Sequence, residues 1–501
     1  MDSSNRIECL AGTRHDVLEF VDQWMNTASC QNLLWIHGLA GSGKSTLSTT
    51  IANRFRGRGQ LGAFLFFDRD VAERSQPSVV FRTVAFQLAS NHPHISKAIS
   101  ATVENIPSIA ESSIRMQFIK LLVDSVSPHQ KNMFLVIILD ALDECGTAKE
   151  RDSLLDVLVE EAPHLPQFLR IIVTSRAEFD IHAAFNAQPH IIIQELDITS
   201  EGNAEDIHSY ISYRLSNIRR RREHFSFPPD WPGDEVIRLL VNRAFGLFVW
   251  AKTAMEFVDG FNPVKRLQKL LEGDLVSGAE SALDALYRTA LKSAGQWDDN
   301  DFVEEFQAVV GIILVAQNPL SPHSIDALRA ANDGVPSLHT VSVLQCLLSH
   351  DHTIRILHPS FADFLLSPTR SRGEPWHIGS VSSNRDIAVM CLNRLDAVLK
   401  RNMCDITFSQ RVTTTLPEDV KYACLYWIDH IVSIKDDRAM VEQMVTKFLS
   451  LHLLHWFEAM SILGQHRETI RLLDSLSNWF RVRLFVLACK SFSSLMSPCL
   501  Y

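Results

Sequence analysis

Gly38, Gly43, Lys44 and Ser45 stand in the order G-x-x-x-x-G-K-S inside "HGLAGSGKST", residues 37–46. Each residue type has a physical task in a loop that holds phosphate. Glycine lets the backbone curl so that several N–H groups face inward with no Cβ in the way. A helix starting near Lys44 aims its unsatisfied N–H groups and the positive end of its dipole at the same spot. Lys44 would reach the terminal phosphates, Ser45 would ligate Mg²⁺, and Thr46 would support the helix start. The residues expected around a bound nucleotide are therefore Gly38, Ala40, Gly41, Ser42, Gly43, Lys44, Ser45 and Thr46. The strand-like "LLWI" before the loop and the helical "STLSTTIANRF" after it supply the required context.

A second group follows about a hundred residues later in "LVIILDALDEC". Asp140 ends an apolar strand, with Asp143 and Glu144 just beyond. Ligands of open α/β sheets bind at that end of the strands. Asp140 fits the water-mediated Mg²⁺ ligand that Ser45 needs as a partner, and Glu144 or Asp143 would orient the attacking water. A third strand, "IIVTSR", brings Thr174, Ser175 and Arg176 to the same edge. A hydroxyl and an arginine there suit a terminal phosphate, the arginine because its planar donor fork matches phosphate oxygens.

These residues need a sheet to position them. Apolar runs at "LLWI", "GAFLFFD" (62–68), "MFLVIILDALDEC" (133–145), "FLRIIVTSR" (168–176) and "HIIIQEL" (190–196) alternate with helical stretches at 45–56, 77–90, 112–127 and 149–161. That alternation predicts a five-stranded parallel sheet covered on both faces. A helical lead-in, "GTRHDVLEFVDQWMNTAS", precedes it. Beyond about residue 200 the pattern is helical, broken by the prolines after "RRRR" (219–222). "SVLQCLLSHDHTIRILHPSFADFLLS" reads helix, short hairpin, helix, which suggests a winged-helix unit. From about residue 384 the chain is helical again.

The chain has 501 residues, enough for about two to four domains. Its net charge of -10 argues against nucleic-acid binding over the whole surface. The nine cysteines are scattered without a C-x-x-C pair, which predicts reduced thiols in a reducing compartment. "FQAVVGIILVAQ" is too short to span a bilayer. A cytoplasmic location is the expectation, with no membrane partner. The arginine run is expected in a solvated surface loop.

With those residues in hand, the chain resembles the NACHT family of signal-transduction NTPases of the STAND class, in particular fungal members with a nephrocystin-like core. The marks are "CLAGTRHDVL", "LLWIHGLAGSGKST", "LGAFLFFDRD", "VVFRTVAFQLA", "LVIILDALDEC", "LRIIVTSR", "GLFVWAKTA", "LHPSFADFL", "YACLYWIDH" and "LLHWFEAMSILG". The resemblance implies a lead-in over 1–30, an α/β P-loop NTPase domain over 31–200, a helical domain over 201–278, a winged helix over 279–372 and a helical arm over 373–501. It implies that His358 contacts the diphosphate in a closed state, and that ATP and ADP are the nucleotides. No base-reading motif is legible, so GTP stays possible. Two departures stand out. "AFGLFVWA" has no proline after Gly246, which many relatives use near the adenine. Relatives often carry an effector segment before the core and WD-type repeats after the arm, and on that pattern the chain reads as a truncated paralogue or an incomplete gene model.

The implied function is a switch. ATP with Mg²⁺ is bound and slowly hydrolysed, and the triphosphate state self-associates, in fungal non-self recognition or programmed cell death with protein partners that are unknown. The rival expectation is a scaffold that binds nucleotide without turnover. A winged-helix DNA binder is disfavoured by the charge and by the few basic residues around 320–370.

Overall fold

Five apolar runs fold as parallel strands β1 (Leu33–His37), β2 (Leu61–Phe66), β3 (Leu135–Asp140), β4 (Leu169–Ser175) and β5 (Ile191–Glu195), in the order β2-β3-β4-β1-β5. The computed structural model describes residues 6–480 apart from 28–30, 70, 127–133, 187, 223, 273–277, 331–334, 372, 404–415 and 436–437. Two units divide the chain, residues 1–289 and 290–501.

In the first unit every residue of β2, β3 and β4 is buried, as is β1 up to Ile36. Side chains alternate between two cores. Leu34 and Ile36 face helices α1 (His15–Asn26) and α2 (Lys44–Gly57) through Trp24, Leu47, Ile51 and Phe55. Leu33 and Trp35 face the other side, covered by α3 (Val80–Asn91), α4 (Pro93–Asn105), α5 (Ile114–Phe118), α6 (Ala148–Glu161) and α7 (Phe179–Phe185). Edge strand β2 is shielded by α3, which lies so close that a Cβ on Gly62 would meet Leu88 Cδ2 at 2.8 Å. Helices α4 and α7 were not anticipated. α4 opens on Pro93 directly after α3, a position where the missing N–H costs nothing.

The lead-in is fastened to the sheet by Arg170, fully buried in β4. Its guanidinium donates to the carbonyls of Trp24 and Thr27, at the C-terminus of α1, and lies against the Trp24 and Phe134 rings. A cation there satisfies end carbonyls that have no helical partner.

After β5 come α8 (Glu201–Arg221), α9 (Asp234–Ala244), α10 (Phe248–Val258) and α11 (Pro263–Glu272). Gly246 has φ +75°, and a Cβ there would stand 1.9 Å from the Ile198 carbonyl oxygen. Asn203 Nδ2 clips that approach by donating to the carbonyls of Ile198 and Gly246. The arginine run, expected in a loop, is instead the last turn of α8 and its C-cap. Arg219 donates to the carbonyls of Trp231 and Pro229, and Arg221 and Arg222 pair with Asp259. Cations suit a helix C-terminus, which is why the run extends the helix.

Helix α12 (Ala279–Ala294) carries the division between the units. The second unit continues with α13 (Asn300–Val315), α14 (Pro322–Leu328), α15 (Ser337–Val343), an antiparallel hairpin of β6 (Leu348–His350) and β7 (Ile354–Ile356), and α16 (Pro359–Leu366). That is the order read from the sequence for the helix–hairpin–helix stretch. Helices α17 (Ser380–Val398), α18 (Glu418–Val432), α19 (Ala439–Ile462) and α20 (His466–Phe480) follow. Trp427 packs edge-on against Phe448 and Trp456 at their centre. A buried polar chain crosses this unit. Gln317 N donates to Tyr422 Oη at 3.1 Å, Tyr422 Oη meets His430 Nε2 at 2.8 Å, and His430 Nδ1 meets Asn384 Oδ1 at 2.8 Å. The Asn384 oxygen can only accept, so His430 carries its proton on Nδ1 and Tyr422 donates to Nε2. Burial lowers the His430 pKa to about 3.

Among the described residues no helix is long and apolar enough to cross a membrane. Cys145, Cys346, Cys391 and Cys424 are buried, Cys9 is partly exposed, and none of the five is in a disulfide. Cys30, Cys404, Cys489 and Cys499 lie outside the described residues.

Candidate functional site

The turn between β1 and α2 has the curl that its glycines predict. Gly41 and Gly43 take φ +80° and +94°, in the region that disfavours a side chain. Gly38 is confined, since a Cβ there would lie 3.1 Å from Ser42 Oγ and 3.2 Å from Leu196 Cβ. Gly43 is the N-cap of α2 and contributes no side-chain bond, so the first N–H groups of the helix remain available to a ligand. Ser45 and Thr46 sit half-buried in that first turn, and Ala40 half-buried in the loop. Ser42 Oγ is buried with no hydrogen-bond partner among the described residues.

Lys44 folds back over the loop. Its Nζ donates to the carbonyls of Gly38 at 2.8 Å and Leu39 at 2.9 Å. Burial is the main cause that lowers its pKa to about 8. Asp143, Asp140 and Glu144 act the other way, and Arg176 adds to the lowering. Those four groups feel Lys44 because β3 and β4 end beside the loop that leaves β1.

Asp140 is fully buried at the end of β3. Its Oδ1 accepts from Thr174 Oγ1 at 2.5 Å and its Oδ2 from Arg6 Nη1 at 2.7 Å. Ala141 follows in the left-handed region at φ +61°, its N–H donating to Thr174 Oγ1. Backbone strain of this kind gathers at functional turns. Asp143 is committed to Arg176. Its Oδ1 accepts from the Arg176 N–H at 3.0 Å and its Oδ2 lies 3.3 Å from Nε. Glu144 has its pKa raised to about 7, chiefly by burial, with Arg69 opposing and Asp143 adding to the rise. The hydroxyls of "TSR" do not wait for phosphate. Thr174 serves Asp140, and Ser175 Oγ accepts from Trp35 Nε1 at 2.8 Å.

Two participants were not given roles by the sequence reading. Arg14, buried in the left-handed region as the N-cap of α1, donates from Nη2 to the Ser42 carbonyl at 2.5 Å. Its guanidinium lies 4.7 Å from the Phe248 ring centroid, and its N–H donates to Asp206 Oδ2. The Val249 N–H, in the first turn of α10, donates to the Gly41 carbonyl at 3.1 Å. Arg14 and α10 thereby hold the loop from outside. The signal was present in "GTR" and "GLFVWA", but only as marks of resemblance. Arg6, the second participant, sits in no recognisable pattern.

His358 belongs to the second unit, where it caps α16. Its Nδ1 accepts from the Ser360 N–H at 3.1 Å and lies 2.7 Å from Ser360 Oγ.

The donors suit a hard divalent cation. Ser45 and Asp140 offer oxygen, as Mg²⁺ requires, and Mg²⁺ characteristically takes one or two protein ligands beside nucleotide phosphate. No cluster of three or more His, Cys, Asp or Glu able to hold a metal by itself occurs among the described residues. The glycine cradle and the orphaned Ser42 hydroxyl fit a polar ligand in the loop.

Residues 12–176 match the family described as nephrocystin 3, N-terminal. The chain is 22% identical over 492 residues to the vegetative incompatibility protein HET-E-1 of Podospora anserina, a match that covers 91% of this chain and 35% of that protein. The chain thus spans about a third of the length of this relative. Among solved structures it is similar to a STAND protein with a tetratricopeptide repeat sensor from Pyrococcus horikoshii, with TM-score 0.49, 13% identity, and coverage of 98% of this chain and 57% of that one. The replication initiator DnaA bound to AMPPCP and single-stranded DNA matches with TM-score 0.30 and 15% identity over 68% of this chain and 91% of that one.

Proposed function

We infer that this chain, which belongs to the NACHT class of STAND P-loop NTPases, is a nucleotide-controlled switch that binds ATP or ADP with Mg²⁺ and hydrolyses ATP slowly. The observation that carries the reading is the convergence of Lys44, Asp140, the Asp143–Arg176 pair and Glu144 on one sheet edge. The N–H groups of the Gly38–Ser45 turn and of the start of α2 cradle phosphate oxygens. Lys44 exchanges the carbonyls of Gly38 and Leu39 for the terminal phosphates. Ser45 and Asp140 hold Mg²⁺, which when bound offsets phosphate charge. Thr174 keeps the Asp140 carboxylate oriented. Glu144, with a pKa near neutrality, accepts the proton of the attacking water. Arg176 turns from Asp143 to the γ-phosphate, so binding exchanges one ion pair for another. Arg14 and the N-terminus of α10 carry the state of the loop to the helical domain.

Similarity to a vegetative incompatibility protein supports a place in fungal non-self recognition, and self-association in the triphosphate state is the output we assign to the switch. The specific observation on the other side is that both acids nearest the loop are already paired with arginines, as a nucleotide-stabilised scaffold without turnover would have them. Phosphate release and light scattering on wild type, Glu144→Gln and Asp140→Asn separate the two. The switch requires turnover in wild type, a loss of roughly 10²–10⁴-fold in Glu144→Gln, and larger particles of that variant with ATP. Tight binding with no turnover in wild type establishes the scaffold.

A further inference from the structure

The strap that precedes α1 is docked along α2 and ends on the carboxylate assigned to the metal. Cys9 N–H donates to Thr50 Oγ1 at 2.8 Å, and Glu8 Oε1 accepts from Asn53 Nδ2 at 2.8 Å. Beyond these fasteners Arg6 reaches Asp140 Oδ2 at 2.7 Å, its guanidinium 4.4 Å from the Phe66 ring centroid and 5.8 Å from that of Phe64. Asp140 is fully buried, and its other oxygen already accepts from Thr174. A buried carboxylate needs a counter-charge, and Arg6 supplies it from an aromatic seat. A divalent cation drawing on the same carboxylate would stand beside the guanidinium as a like charge, in a setting where water screens poorly.

We propose that Arg6 is a displaceable internal counter-cation of Asp140, so that metal entry and release of the strap over residues 6–13 are linked equilibria. Linkage makes the effect reciprocal. The docked strap weakens metal binding, and bound metal loosens the strap. The proposal rests on the reading that Asp140 helps hold Mg²⁺. The strap carries its own reporter. Cys9 is partly exposed, its burial raises its thiol pKa, and its N–H bond to Thr50 breaks when the strap lifts.

The test uses the full chain. Binding of Mn²⁺, alone and with ADP, is read from the free-ion paramagnetic signal, and Cys9 alkylation is read by peptide mass mapping. Arg6→Gln should bind Mn²⁺ about ten- to a hundredfold more tightly than wild type, the worth of one hydrogen bond to a charged group. Arg6→Lys, which keeps the charge, should fall between them. Wild-type Cys9 should alkylate faster when Mn²⁺ and ADP are added, whereas in Arg6→Gln and Asp140→Asn it should already be fast without them. Arg6→Gln with wild-type or weaker Mn²⁺ affinity overturns the proposal, as does a Cys9 rate that metal leaves unchanged. Should Asp140→Asn bind Mn²⁺ as wild type does, the metal assignment itself fails, which is a different result from failure of the latch alone.

Discussion

The pH dependence of turnover is a demanding test of the site, because two of its groups have ordinary pKa values displaced towards each other. Burial raises Glu144 to about 7 and lowers Lys44 to about 8. If Glu144 must be ionised to accept the water proton and Lys44 charged to hold phosphate, only the microstate with both is active. At about pH 7.5 roughly three quarters of each population is in the required form, so a little over half of the molecules are competent. At about pH 6 the ionised share of Glu144 falls to roughly a tenth, and at about pH 9 the charged share of Lys44 does the same. The profile of kcat/KM, which reports the free enzyme, should therefore be a narrow bell that drops about sixfold on either side. Phosphate release at low substrate, from about pH 5.5 to 9.5 at constant ionic strength, measures it. Glu144→Gln should lose the acid limb together with most of the rate, and its residual activity should fall only on the alkaline side. An acid limb that survives in Glu144→Gln moves the base to another group, with Asp143 next in line. A flat wild-type profile between about pH 6 and 8 refutes the roles of both residues.

Saturating Mg-ADP should raise the melting temperature of wild type, corresponding to about 2.7 kcal/mol at a hundred times Kd, and Lys44→Ala should lose most of that shift. An unshifted wild-type melt removes the nucleotide reading. His430 is neutral in the fold with a pKa near 3, against about 6.5 when unfolded, so its contribution is complete above about pH 6.5 and is lost as acid approaches the folded value. Denaturant melts should show wild type losing about 1.6 kcal/mol more than His430→Gln between about pH 6.5 and 5, and equal losses would mean that the Asn384–His430–Tyr422 chain opens to water. His358→Asn keeps an acceptor to cap α16 and removes the imidazole, so its thermal stability should stay near wild type. If His358 senses diphosphate, ADP retention falls in that variant while ATP affinity holds, and an unchanged ADP-to-ATP ratio leaves the histidine with the cap alone.

The sheet was legible because β1 to β4 are buried on both faces and so read as unbroken apolar runs, while edge strand β5, buried only at Ile191, still shows its isoleucines. The phosphate loop was legible because its residue types sit within one local stretch. Helix α4 escaped notice since only Ile95 and Ile99 are buried on it, too few to mark a period. The arginines of the site escaped for another reason. Arg6 lies 134 residues from Asp140 and Arg14 lies 28 from Ser42, and no local pattern records a partner at that separation. Thr174 was noticed but assigned to phosphate, because a strand end gives the position of a hydroxyl and not its direction. The hydroxyl turns across the sheet to Asp140, where a buried carboxylate draws a donor more strongly than an empty edge would.

The strand order also has a consequence for synthesis of the chain. β1, which carries the phosphate loop, lies between β4 and β5, so its two neighbours are translated long after it. From His37 to Glu195 the ribosome adds 195 − 37 = 158 residues, which takes on the order of ten to thirty seconds at cellular rates. For most of that interval, until β4 is complete at Ser175, "LLWI" has no neighbouring strand to enter and stays an apolar segment for chaperones to cover. Nucleotide cannot nucleate this domain as it emerges. It meets a cradle only once β3 and β4, whose ends stand beside the loop, have arrived, and acts on an assembled sheet.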